Sequence, residues 1–172
     1  MIIFNDINEC NGLSYHDNFI DKNEEIYLID YMNNIEYNRF DSKYYGYTHK
    51  YNSSNGNRIL NIPKTLNLID RYININYNQM IGMDIKYNKS FKIKPHSDIF
   101  KDNIIIISIS NNNYLTIDNK TFRLNRRSIL IIEHKLLLND ITLLGDKSIK
   151  RNRKLLIYKN IKVVEEDKLY FN

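Results

Sequence analysis

The stretch Phe91-Lys-Ile-Lys-Pro-His-Ser-Asp98 offers an imidazole and a carboxylate together in one short, strand-like run. His96 and Asp98 are two residues apart, so on an extended chain both side chains leave the same face and can grip one metal ion. Pro95 fixes the backbone just before His96 and removes a ladder donor, which sets the pair at a strand end or edge. A His-x-Asp pair with a distant third ligand is the sequence form of the facial triad that holds non-haem Fe(II) and leaves positions open for substrate and oxygen. The same residues also compose an ordinary solvated turn, so the weight of the pair depends on what accompanies it.

The chain around it has 172 residues, one domain's worth, with 42% hydrophobic and 26% charged residues, which is enough apolar material for a core. The mean hydropathy of -0.52 comes from Asn, Lys and Tyr and not from a missing core. Heavy use of Asn, Ile, Lys and Tyr fits an AT-rich coding sequence and inflates every Asn and Lys signal. A net charge of +5 favours an anionic partner such as nucleic acid, although no dense basic arm is present. The single cysteine, Cys10, excludes an internal disulfide framework and fits a reducing compartment. Met1-Ile-Ile-Phe-Asn-Asp reads as neither a secretory signal nor a membrane anchor. The expectation is a soluble, intracellular protein of cytoplasm or nucleus, monomeric and without membrane contact.

The elements that must position His96 and Asp98 fall into two groups. Leu13-Ser-Tyr-His-Asp-Asn-Phe-Ile20 reads as a short strand, and Asp21-Lys-Asn-Glu24 has the form of a capping box. A helix over residues 24–35 should follow, its apolar stripe made by Ile26, Ile29, Met32 and Ile35. Tyr44-Tyr-Gly-Tyr-Thr-His-Lys-Tyr51 reads as a tyrosine-rich strand ending in the turn signal Asn52-Ser-Ser-Asn-Gly-Asn57. Asn61-Ile-Pro63 opens a second helix over 63–73 that buries Leu66, Ile69 and Ile73. From residue 77 the chain turns to short β-branched or aromatic runs at 80–87, 104–109, 114–117, 128–132 and 154–159. No segment repeats at a fixed period, which excludes a solenoid. Helices followed by strands predict an α+β fold in which helices buttress a β-sandwich or jelly roll.

Downstream of His96 come Leu124-Asn-Arg-Arg-Ser-Ile-Leu-Ile-Ile132, Leu136-Leu-Leu-Asn-Asp-Ile-Thr142 and Arg153-Lys-Leu-Leu-Ile-Tyr-Lys159, in that order. Upstream stand Phe19-Ile20, Tyr45-Gly-Tyr47, Ile62-Pro63, and Tyr87 nine residues before His96. Over most of its length the chain resembles the AlkB-like Fe(II)/2-oxoglutarate-dependent dioxygenases. The resemblance implies one domain over 1–172, a double-stranded β-helix (jelly roll) core at 77–172 with two N-terminal buttressing helices, and a helical and nucleotide-lid part at 1–76. It implies His96 and Asp98 as iron ligands and as the catalytic pair. It implies Arg153 facing the distal carboxylate of the co-substrate 2-oxoglutarate, since a guanidinium binds a carboxylate through two parallel hydrogen bonds. Tyr87 would offer its hydroxyl to the same co-substrate, and Lys159 stands where the family usually has a second arginine.

Three positions depart from the family pattern. Aligned on Ile141, the third metal ligand is Asn139 and not histidine, and an amide oxygen is a weaker donor for Fe(II) than imidazole. His134 and Asp140 are the nearest substitutes. Ile85 replaces an asparagine two residues before Tyr87, and Lys159 keeps a charge but loses the guanidinium fork. The resemblance implies oxidative demethylation of alkylated bases in DNA or RNA. The alternative is a catalytically inactive jelly roll that binds nucleic acid or a protein. Tyr44, Tyr45, Tyr47 and Tyr51 suit either a lid that stacks on a flipped base or plain packing. Arg126 and Arg127 suit either a phosphate contact or a charged strand edge.

Overall fold

The computed structural model describes residues 3–4, 11–38, 41–49, 56–71, 76–93, 102–145 and 148–161. Twelve strands make up most of it: β1 (Ile3–Phe4), β2 (Leu13–His16), β3 (Ser42–His49), β4 (Gly56–Leu60), β5 (Gln79–Ile85), β6 (Phe91–Ile93), β7 (Ile104–Ser108), β8 (Asn113–Ile117), β9 (Lys120–Leu124), β10 (Ser128–Ile132), β11 (Ile141–Gly145) and β12 (Arg153–Lys159). They form a five-stranded sheet in the order β1-β9-β8-β11-β6 and a seven-stranded sheet in the order β2-β10-β7-β12-β5-β3-β4. All pairings are antiparallel except the short β1–β9 pair. From β5 to β12 the chain passes back and forth between the sheets, and the result is a jelly roll. The architecture is mostly β, which corrects the α+β expectation.

The two sheets carry different sequence patterns for a physical reason. In β8 burial alternates, with Asn113, Leu115 and Ile117 turned inward, because only one face of the smaller sheet is covered by the other sheet. In β7 and β12 every residue is buried. Ile104, Ile106, Leu155 and Ile157 enter the core between the sheets, while Ile105, Ile107, Leu156 and Tyr158 enter a second core on the outer face. The helix α1 (Lys22–Asn33) supplies Leu28 and Met32 to that second core. Continuous apolar runs therefore mark strands buried on both faces.

The capping box of α1 is present: Asp21 Oδ1 accepts the amides of Asn23 at 2.7 Å and Glu24 at 2.8 Å, and the Asp21 amide donates to Glu24 Oε2 at 3.1 Å. Of the expected stripe, Ile29, Met32 and Ile35 pack on the second core. Glu25, Leu28 and Met32 face inward and Ile26 is 58% exposed. Glu25 lies inward because Arg127 Nε stands 3.8 Å from its carboxylate, across the start of β10.

Among the described residues of 63–73 the expected second helix is absent, and two 3-10 turns, Lys64–Leu66 and Ile69–Arg71, take its place. The carbonyl of Leu66, which a helix would offer to residue 70, accepts instead from the Tyr158 hydroxyl at 2.5 Å. Asn67 meanwhile turns its side chain to Asp70 Oδ2 at 2.5 Å, competing with backbone pairing as short polar side chains do. One α-helix, not two, buttresses the jelly roll among the described residues. No helix there is long and apolar enough to cross a membrane.

Candidate functional site

The strand pair β6–β11 organises one end of the site. Ile93, three residues before His96, is the register partner of Ile141, two residues after Asn139. His96 and Asp98 themselves lie outside the described residues, as does Tyr51. Asn139 follows the 3-10 turn His134–Leu138 and is half-buried. Its Nδ2 donates to Asp118 Oδ2 at 2.8 Å, which ties it to the β8–β9 turn, where Asp118 and Asn119 both take positive φ. Its amide oxygen accepts no hydrogen bond among the described residues. His134 begins the 3-10 turn, and its amide donates to Asn103 Oδ1 at 3.1 Å. At about 2 Å rise per residue, His134 is on the order of 10 Å from Asn139 along the chain. Asp140 is exposed. No group of three or more His, Cys, Asp or Glu side chains suited to a metal exists among the described residues.

β12 supplies the other end. Arg153 and Lys159 share strand parity with Leu155 and Ile157, so all four face the space between the sheets. Lys159 lies level with the start of β7, since Tyr158 pairs with Ile105, and β7 is the strand that follows the His96–Asp98 segment. It is 9% exposed, and burial lowers its pKa to about 8. Arg153, at the opposite end of the strand, is 1% exposed. Its Nη1 donates to Asn113 Oδ1 at 2.9 Å and its Nη2 donates to the Lys89 carbonyl. Its Nε is buried and has no hydrogen-bond partner among the described residues. Both acceptors are neutral, and no carboxylate pairs with this guanidinium among the described residues. Burial lowers the Arg153 pKa accordingly.

Gly145 makes room for that guanidinium. A Cβ at Gly145 would lie 2.7 Å from Arg153 Nε and 2.9 Å from the Tyr87 carbonyl. Tyr87 sits in the turn that closes with the Lys89 amide donating to the Lys86 carbonyl at 2.9 Å, and its ring is 39% exposed. Its backbone borders Arg153, while its hydroxyl makes no hydrogen bond among the described residues. A carboxylate brought to Arg153 would find an orphaned N–H and an unneutralised charge, so the 2-oxoglutarate arm of the site fits the residues present.

Sequence reasoning did not single out Asn113, Ser108 or Gly145, all of which shape the surroundings of Arg153. An Asn in an Asn-rich chain gives no signal. Tyr45 is buried in the outer core, and Tyr44 and Tyr47 pack half-buried on the inner one, so these three pack on the fold. Arg127 takes a structural part: its Nη2 donates to Asn18 Oδ1 at 3.0 Å beside Glu25. Arg126 is exposed.

No protein-family model and no curated protein matches the chain. Among solved structures the chain is similar to OsALKBH1, with a TM-score of 0.60 at 8% identity over 87% of this chain and 96% of that one. It is similar to the viral collagen prolyl hydroxylase vCPH of Paramecium bursaria Chlorella virus-1, with a TM-score of 0.58 at 10% identity over 90% of each chain. A Pseudomonas putida prolyl-4-hydroxylase matches with a TM-score of 0.53 at 6% identity over 88% of this chain and 93% of that one. The chain therefore has the jelly-roll fold that AlkB homologues and prolyl hydroxylases share, the fold of the 2-oxoglutarate/Fe(II) dioxygenases.

Proposed function

We propose that this protein is an Fe(II)/2-oxoglutarate-dependent dioxygenase that oxidatively demethylates alkylated bases in DNA or RNA. The observation that carries the proposal is Arg153, a buried guanidinium held only by neutral acceptors, with an orphaned Nε, on the inward face of β12. An uncompensated buried charge is costly, and a ligand carboxylate would offset that cost. In this proposal Arg153 binds the distal carboxylate of 2-oxoglutarate. Lys159, charged at neutral pH with a pKa of about 8, balances negative charge at the metal end. His96, Asp98 and the amide oxygen of Asn139 hold the iron, and Tyr87 turns in from its exposed turn to meet the co-substrate. Iron held there would supply activation of dioxygen, one oxygen atom going to succinate as 2-oxoglutarate loses CO2 and the other to an N-methyl carbon, whose hydroxymethyl group then leaves as formaldehyde. The net charge of +5 supports a nucleic-acid substrate.

A second function, an inactive jelly roll that binds nucleic acid or a protein, has one observation in its favour. Asn139 stands in place of a histidine, and its amide is already engaged with Asp118. Anaerobic titration with Fe(II) or Mn(II), followed by 2-oxoglutarate turnover, separates the two. The enzyme should bind metal weakly, and Asn139→His should tighten it by roughly tenfold or more, because imidazole is the better donor. If neither protein binds either metal, the enzyme proposal fails. The binding module would then be tested by whether fluorescent single-stranded nucleic acid binds with a steep salt dependence.

A further inference from the structure

Asn113 is fully buried at the start of β8, where it is the register partner of Gly145. Its Nδ2 donates to Ser108 Oγ at 2.9 Å and more weakly to the Asn111 carbonyl at 3.5 Å. Ser108 Oγ in turn donates to the same Asn111 carbonyl at 3.2 Å. These contacts use the donor side of the amide and leave its oxygen one direction to face, toward Arg153 Nη1 at 2.9 Å. The side chain cannot flip without setting an N–H against the guanidinium.

We infer that Asn113 is a positioning residue: it aims the buried Arg153 guanidinium at a ligand carboxylate through a neutral oxygen, holding the charge in place without neutralising it. The inference rests on the proposal that Arg153 meets such a carboxylate. An aspartate at this position would offer nearly the same geometry and would pair with Arg153 internally. The carboxylate of a ligand would then have to displace a resident one. Neutrality at Asn113, together with the fixed direction of its oxygen, is thus what makes the guanidinium available. Asn113 is a specificity device for anionic ligands although it need not touch them.

The test uses the full-length protein without metal, and glutarate beside 2-oxoglutarate. Glutarate lacks the 2-oxo group and reports the carboxylate arm alone. The readout is the Arg153 Nε–H resonance in a nitrogen-edited spectrum, with urea midpoints measured in parallel. In the wild type both ligands should shift that resonance. Asn113→Asp should weaken both by roughly ten- to a hundredfold, the usual range for a charge-assisted hydrogen bond, while its urea midpoint holds or rises. A merely structural role for Asn113 would lower the midpoint and leave affinity alone. Should Asn113→Asp fail to fold, Ser108→Ala frees the amide to rotate and should weaken both ligands several-fold. Wild-type affinity in a folded Asn113→Asp, or in Ser108→Ala when the former does not fold, removes Asn113 from this role and leaves the proposed function standing. A wild-type Arg153 resonance that responds to neither ligand removes the carboxylate site itself, and the proposed function and this inference fall together.

Discussion

A guanidinium as buried as Arg153 ordinarily sits against a carboxylate, because an unpaired charge inside a protein is expensive. Here it faces an amide oxygen and a backbone carbonyl, and its Nε faces nothing that accepts. A residue kept for stability would not be left in that state, whereas a residue kept for a ligand would be. Arg153→Met should therefore abolish 2-oxoglutarate binding in calorimetry and yet leave the protein as stable as the wild type, or more stable by about 1 kcal/mol. The loss of donors to Asn113 and to the Lys89 carbonyl, about 1 kcal/mol each, is set against relief of a larger desolvation cost. A variant that loses more than about 2 kcal/mol while still binding the co-substrate would make Arg153 structural. The sequence singles out Arg153 because it opens the last of an ordered series of motifs. Asn113, Ser108 and Gly145 were not legible there, since their part depends on three strands from two sheets meeting at one point.

The tyrosine-rich strand β3 shows how an element reaches a pattern that simple alternation would forbid. Tyr44 and Tyr47, three residues apart, both pack on the core between the sheets, while Tyr45 packs on the outer one. The bulge lies between Gly46 and Tyr47 with its extra residue on β4, where pairing steps from Leu60 to Arg58, and on β3 the φ of +78° at Gly46 breaks the extended backbone on which alternation depends. A Cβ at Gly46 would lie 2.1 Å from the Asn78 carbonyl oxygen. Gly46→Ala should therefore cost about 2–4 kcal/mol, a left-handed penalty plus a steric one against backbone, read as a lower urea midpoint. A midpoint within about 0.5 kcal/mol of wild type would mean that Gly46 does not hold this backbone against Asn78. The sequence signalled this strand by composition but not its bulge. The first helix was legible through its capping box and most of its apolar stripe, whereas the inward turn of Glu25 was not, because Glu25 is drawn inward by an arginine about a hundred residues away. The second helix was misread for a related reason: local spacing favoured it, and a hydroxyl from β12 claimed the carbonyl it needed.

At the scale of the whole molecule, the most buried strands were the legible ones, since β7, β10 and β12 each carry four apolar or aromatic residues in a row, 104–107, 129–132 and 155–158. The smaller sheet was harder to read, because β9 and β11 carry threonines and an arginine on a face left uncovered by the other sheet. The same two-sheet packing buries ionisable groups whose combined titration should give stability a distinctive pH profile. Burial lowers the Lys159 pKa from 10.5 to about 8. Between those values the unfolded chain holds a proton that the folded chain has released, so stability rises with pH across the window. The gain, on the order of a few kcal/mol, is complete above the unfolded value and lost as pH falls through the folded one. Tyr15, Tyr37, Tyr45 and Tyr77 act in the opposite sense: burial raises each above 10.0, so above that pH the unfolded chain loses protons first and stability falls. Urea midpoints taken across about pH 7 to 11 should climb from near 8 and then turn down past 10. Lys159→Met should remove the climb and keep the descent. A wild-type profile that is flat or falling between pH 8 and 10 would show that Lys159 titrates as a solvated lysine, and that the inward face of β12 is open to water at the end level with the start of β7.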